Sequence, residues 1–161
     1  MSSLAQFNKD LDTFESDVAV EHANVSAAVA IRLFALIVSR TPYATGQARS
    51  SWQISIGSPN KNTNVRGKYP QYADAAAAYA LATAEGVEKL AGYKYGLMGF
   101  KPAIWITNRL RYIPFLERGT SKKAPQGMVR LSVEQVKSEF NHIAAQVANG
   151  GKGGTVGISV S

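Results

Sequence analysis

The sequence predicts an α+β domain, and three observations carry that prediction. No Gly or Pro interrupts the first 41 residues, where apolar side chains recur at helical spacing. Two short segments, 52–56 and 103–107, place alternate residues on opposite faces, as strands do. Two further apolar-periodic runs, 71–90 and 127–149, read as helices. The resulting order is a long N-terminal helix, then a small antiparallel or mixed sheet packed by an Ala-rich helix and a C-terminal helix.

In the first helix Leu4, Phe7, Leu11, Phe14 and Val18 fall at alternating steps of three and four, and Val25, Val29, Leu33 and Leu36 continue the face. Ser3 followed by Gln6 matches a capping box. Unbroken to Ser39, the helix would be about 55 Å long at 1.5 Å per residue. That exceeds the width of a small domain, so its first half would project and its stripe would need another surface to cover it. The alternative is two shorter helices with a break near Glu21–Asn24. Thr41-Pro42 ends the run, because the proline ring removes a donor and clashes with the preceding turn. Thr45-Gly46 follows as a turn.

Trp52, Ile54 and Ile56 then alternate with Gln53 and Ser55 as a first strand. Residues 58–70 form a polar loop carrying Lys61, Arg66 and Lys68. In the Ala-rich helix, 71–90, Tyr72, Ala76, Tyr79, Thr83, Val87 and Leu90 share one side, and small residues there suit close approach to a sheet. Gly92 ends it, and Gly96 and Gly99 make the next stretch irregular. Ile104 and Ile106 take one face of the second strand and Trp105 the other. Two strands alone make a weak sheet, so further strands are expected within 58–70 or 92–101. Tyr112–Glu117 fits one helical turn. Gly127 opens the last helix, whose apolar face is Val129, Val133, Val136, Phe140, Ile143 and Val147. The expected organisation is one domain, residues 1–149, followed by a flexible Gly-rich tail or arm, 150–161.

The chain has 161 residues, no cysteine and a net charge of +7. The missing cysteine excludes a disulfide scaffold, a thiolate zinc site and a cysteine nucleophile. No run of about 20 apolar residues is present, and the acidic N-terminus does not read as a secretory leader, so no membrane partner is expected. Charge is unevenly laid: residues 1–31 hold five acids and one base, net −4, and residues 32–161 hold 17 bases and six acids, net +11. Such polarity suits an acidic partner, either DNA or the acidic end of a neighbouring copy.

No constellation for catalysis is visible. His22 and His142 lack metal spacing, no G-x-S-x-G elbow occurs, and Gly119-Thr120-Ser121-Lys122 lacks the spacing of a phosphate loop. Asp74, Glu85 and Glu88 have few acids elsewhere to converge with. The expectation is a non-enzyme without cofactor or metal. Arg109, Arg111, Arg118, Lys122, Lys123 and Arg130 surround Tyr112 and Phe115, a pattern that binds nucleic acid by phosphate contact and stacking. The competing reading makes Tyr112, Ile113, Phe115 and Leu116 core residues that anchor a loop.

Two segments carry a family likeness. One is Thr41-Pro42-Tyr43-Ala44-Thr45-Gly46-Gln47-Ala48-Arg49-Ser50-Ser51-Trp52. The other runs from Ile106-Thr107-Asn108 through Tyr112-Ile113 and Glu117-Arg118-Gly119-Thr120-Ser121-Lys122 to Ala124-Pro125-Gln126-Gly127-Met128-Val129. They resemble the tail-completion and neck proteins of tailed bacteriophages, the lambda-type minor tail protein Z group. Where that family usually has Asp in the first motif, this chain has Ala44, so the turn must be held in another way. The resemblance implies a structural virion protein at the head–tail junction. It would be made in the host cytoplasm and form a six-fold ring that joins the tail to the head connector. Its implied partners are further copies of itself, the connector or stopper protein, the tail tube protein and, without sequence specificity, the double-stranded DNA in the channel. Pro42, Gly46, Trp52, Asn108, Tyr112, Gly119, Pro125 and Gly127 are then structural motif residues. Arg109, Arg111, Arg118, Lys122, Lys123 and Arg130 are candidates to face DNA or a neighbouring subunit. A small basic DNA-binding protein is the alternative.

Overall fold

The computed structural model describes residues 2–61, 70–94 and 102–150, with side chains from Leu4 onward. Helix α1, Ser2–Arg40, is continuous. Its 39 residues span about 58 Å at 1.5 Å per residue. The break considered near Glu21–Asn24 is absent. Ser3 lies inside the helix rather than before it. The Gln6 amide donates forward to Asp10 Oδ1 at 2.8 Å.

The two halves of α1 have different environments. Every residue from Leu4 to Asp17 is exposed, and the first buried one is Ala23. From Phe34 to Val38 five consecutive residues are buried. A helix buried on all sides must be apolar all round rather than amphipathic, and Phe34-Ala35-Leu36-Ile37-Val38 meets that need. An 18-residue window in this helix reaches a mean hydropathy of 1.6, long and apolar enough for a membrane span by composition, and 44% of it is buried inside the protein. Arg32, which interrupts the apolar run, forms a two-pronged ion pair with Glu139 of the C-terminal helix (Nε–Oε2 2.9 Å, Nη2–Oε1 3.0 Å).

Around this buried half the remaining elements are arranged on two sides. Helix α2, Gln47–Ser50, is a short turn of helix that the sequence did not disclose. Strand β1, Gln53–Ile56, pairs antiparallel with β2, Ile104–Thr107, with Ile54 opposite Ile106 and Ile56 opposite Ile104. These four isoleucines share one face of the sheet. They pack into a cluster with Phe34, Ile37, Val38, Trp52, Ala78, Ala82 and Met128. On the other side Ala28 and Leu36 of α1 meet Val136, Ile143 and Val147 of α5, Val129–Gly150. Among the described residues the sheet has two strands. The further strands expected within 58–70 and 92–101 do not occur in the described parts of those ranges. The remainder, with Arg66, Lys68, Gly96 and Gly99, and the tail residues 151–161, lies outside the described residues.

Helix α3, Ala75–Leu90, starts later than residue 71 because Asp74 caps it, accepting a 2.8 Å bond from the Ala77 amide. A short 3-10 turn, Pro70–Tyr72, precedes it. The buried face is Ala78, Ala82, Gly86 and Leu90, with Tyr79 beside them, so Ala76 and Val87 are exposed rather than inward. Its small residues bring α3 chiefly against α1 and not primarily against the sheet. A methyl group on Gly86 would lie 3.0 Å from Ile31 Cγ1. Two other apolar residues also face outward: Trp105 is 40% exposed, donating Nε1–H to Gly57 O at 3.2 Å, and Phe140 of α5 is about half exposed.

The end of α1 is fixed by Thr41, which is fully buried. Its hydroxyl donates to Ile37 O at 2.7 Å and accepts Trp52 Nε1–H at 2.8 Å. Its carbonyl accepts Arg49 Nε–H at 2.6 Å, and Arg49 Nη1 donates to the carbonyls of Tyr72 (2.6 Å) and Ala73 (3.1 Å). Burial lowers the pKa of Arg49, opposed by the charge of Asp74 and by Tyr43. Arg49→Met should lower the free energy of unfolding by about 2–4 kcal/mol, since the buried Thr41 carbonyl and the part-buried carbonyls of Tyr72 and Ala73 lose a charged donor, a loss of about 1–3 kcal/mol where the acceptor is buried. Urea unfolding of both proteins checks this. An unchanged midpoint would mean that water satisfies those carbonyls equally well.

Candidate assembly interface

The two segments that carry the family likeness, some 60 residues apart in sequence, come together in space. Pro42, Tyr43, Ala44, Thr45 and Ala48 of the first meet Tyr112, Leu116, Ser121, Lys122 and Lys123 of the second around a surface hollow of about 460 Å³. Two hydrogen bonds join them. Asn108 Nδ2 donates to Ala48 O at 2.9 Å, and Lys123 Nζ donates to Tyr43 O at 3.2 Å. Asn108 also turns its own segment, its Oδ1 accepting the Leu110 amide at 3.1 Å.

The first wall is the turn that lacks the family's usual Asp. Gly46, at φ 85°, supplies the left-handed residue that starts α2. The turn is held from outside, by Lys123 on the Tyr43 carbonyl and by the Arg49 guanidinium 5.7 Å from the centre of the Tyr43 ring. Ala44 is exposed and caps nothing.

The second wall is built on one carboxylate. After α4, Ile113–Glu117, the Glu117 side chain reaches forward to the start of α5. Its Oε2 accepts the amides of Met128 (2.9 Å) and Val129 (2.8 Å), and its Oε1 accepts that of Arg130 (2.9 Å). A helix start leaves such amides without partners inside the helix and carries positive partial charge, so an anion is stabilised there. Burial pulls the Glu117 pKa up. The three amides and the Arg130 charge together outweigh it, and the net value lies below the ordinary carboxylate range.

Two glycines make this loop possible. A side chain on Gly127 (φ 78°) would place Cβ 2.5 Å from Glu117 O and 2.9 Å from Oε1. One on Gly119 (φ 80°) would place it 2.2 Å from Pro125 O. Pro125 therefore belongs to the loop against Gly119 and not to a helix boundary, four residues before α5 begins.

The six candidate basic residues do not form one cluster. Lys122 and Lys123 line the hollow with Tyr112. Arg109 lines a different depression, beside Leu33, Trp52, Ile104 and Ile106. Arg130 sits on the first turn of α5 and donates to Gln126 O at 3.2 Å. All six are exposed, and none is in an ion pair among the described residues. The aromatics divide as well. Ile113 is buried and Leu116 half-buried, whereas Tyr112 is 41% and Phe115 55% exposed, so the reading of all four as core is corrected for these two rings. Trp52 and Thr41 anchor the core, while Trp105 does not.

Sequence reasoning passed over Arg49 and Glu117 as anything beyond charges in a run. A lone acid amid six bases, 11 residues before a Gly-Met helix start, was the available signal for Glu117. Among the described residues no three His, Cys, Asp or Glu side chains converge as a metal site. Comparison with family models, with curated proteins and with solved structures finds no match to this chain.

Glu117→Gln should destabilise the protein by about 1–2 kcal/mol at pH 7, the scale of a lost helix cap. Because the folded-state pKa is depressed, this stabilisation is present above the unfolded value of about 4.3 and is lost as pH falls through the folded one. The gap between variant and parent should therefore begin to narrow as pH falls below about 4.3 and go on narrowing toward lower pH. Thermal unfolding from pH 3 to pH 7 checks both the size and the direction.

Proposed function

We propose that this chain is a non-enzymatic structural protein of a tailed-phage neck, a tail-completion protein whose copies form a ring joining the tail to the head connector. The observation that carries this reading is the projecting half of α1. Leu4, Phe7, Leu11 and Phe14 lie on one stripe and are each between 48% and 69% exposed. An isolated surface apolar residue needs no explanation, but a continuous row on a bare helix is an interaction surface. The likeness of residues 41–52 and 106–129 to neck proteins supplies the kind of assembly in which such a surface is covered. The convergence of those two segments into one built hollow supports treating them as a unit.

The proposed ring, six-fold by that likeness, uses head-to-tail contacts between unlike surfaces. The connector or stopper protein and the tail tube protein are its neighbours, and the double-stranded DNA in the channel is met without sequence specificity. The virion neck is its location after synthesis in the host cytoplasm. Particles assembled without this chain should separate into filled heads and free tails, counted by electron microscopy. A deletion that still yields normally joined particles contradicts the proposal.

A further inference from the structure

The stripe on the projecting arm has a definite charge pattern. Asp10, Asp17 and Glu21 border it on one side, Asn8 and Glu15 on the other, and Lys9, the single base, points to the opposite face. Two such arms laid together, in either direction, would bring acids beside acids along the seam, which disfavours pairing of the arm with itself. The surface that covers the stripe must be apolar at its centre and basic at its rim.

The hollow between the two motif segments has that character. Tyr112 and Leu116 line it, Phe115 is exposed on the same short helix, and Lys122 and Lys123 are on its wall. Arg111 and Arg118 are exposed at the two ends of that helix and are in no ion pair among the described residues. The one acid of this stretch, Glu117, is turned onto the amides that begin α5.

Position decides whose arm it takes. The hollow begins at Pro42, just beyond the C-terminal end of α1, and the stripe ends at Val18. The unbroken helix between Val18 and Arg40 holds them about 33 Å apart. An arm cannot reach its own hollow without breaking α1.

We propose that the acidic apolar arm of one copy, residues 4–18, docks into the basic aromatic hollow of the next copy, formed by residues 42–48 and 112–123. This rests on the ring reading above and names its contact. Each copy then carries one donor and one acceptor at opposite ends of α1, so the contact propagates from copy to copy and closes where the rotation allows.

The absence of cysteine gives a clean test. The double variant Phe7→Cys, Ser121→Cys, with Ser121 also lining the hollow, oxidised at high concentration and within assembled particles, should give a ladder of disulfide-linked multimers. Each single variant should give at most a dimer. A dimer from Phe7→Cys alone equal in yield to the ladder would mean that arms pair with arms, and no cross-link in either setting would mean that the arm docks elsewhere. Either result overturns the proposal. Charge exchange separates docking from misfolding: Lys122→Glu with Lys123→Glu should abolish the ladder, and Asp10→Lys with Glu15→Lys in the arm should restore it. If reversal of the two lysines leaves the ladder intact but removes binding to a 30-base-pair duplex, the hollow is a DNA site and the proposal fails. Failure of the ladder while particles lacking the chain still fall apart would remove this docking and leave the neck reading standing. A ladder with normally joined particles would do the reverse.

Discussion

A buried guanidinium needs acceptors, and Arg49 finds them for Nε and Nη1 on backbone carbonyls where separate segments meet. It holds the last carbonyl of the α1 junction, Thr41, and the two carbonyls that lead into α3. Thr41 in turn accepts the Trp52 indole that starts the sheet. Helix α1, strand β1 and helix α3 therefore share one polar knot inside an apolar core. Remove the guanidinium and the Thr41 carbonyl remains, drawn away from water with nothing to replace its donor. The position of the first motif follows from this knot, and with it one wall of the hollow.

The second wall depends on the same principle with the opposite sign. Glu117 is an anion placed where a helix start presents three unpaired amides, and glycines at 119 and 127 let the chain approach closely enough to make the bonds. The two walls are then joined by Asn108 and Lys123. What results is a hollow with exposed bases at its border, one of which, Lys123, bonds the Tyr43 carbonyl. At the far end of α1 the situation is reversed: the helix continues for about five turns with its apolar stripe exposed. A single long helix thus separates a finished surface from an unfinished one.

Much of this was legible from residue spacing alone. The breaker-free run predicted a long helix, its length predicted the projection, and Pro42 marked its end. Both strands fell where alternation placed them. The misses have physical causes. The buried face of α3 differs from the apolar-periodic one because alanines spread round the helix give periodicity little to read; the small residues Ala78, Ala82 and Gly86, the last close to Ile31, form the buried face instead. Phe140 has the periodicity of the inward face of α5, yet tertiary context leaves it about half exposed. The hollow itself could not be read from a single pass along the chain, since it arises from contacts between residues 43–48 and residues 108–123. Arg49 and Glu117 looked like two charges among many because their partners are backbone groups, which leave no trace in composition.

If the arm of α1 docks into the hollow of a neighbouring copy, both surfaces are covered on assembly. Amide hydrogen exchange on the isolated chain and on assembled particles tests it most directly, because exchange reads local covering residue by residue. Protection should rise together over residues 4–18 and 112–123 on assembly, with little change in the buried half of α1. Equal exchange of the arm in both states, or protection of the arm without the hollow, would contradict it.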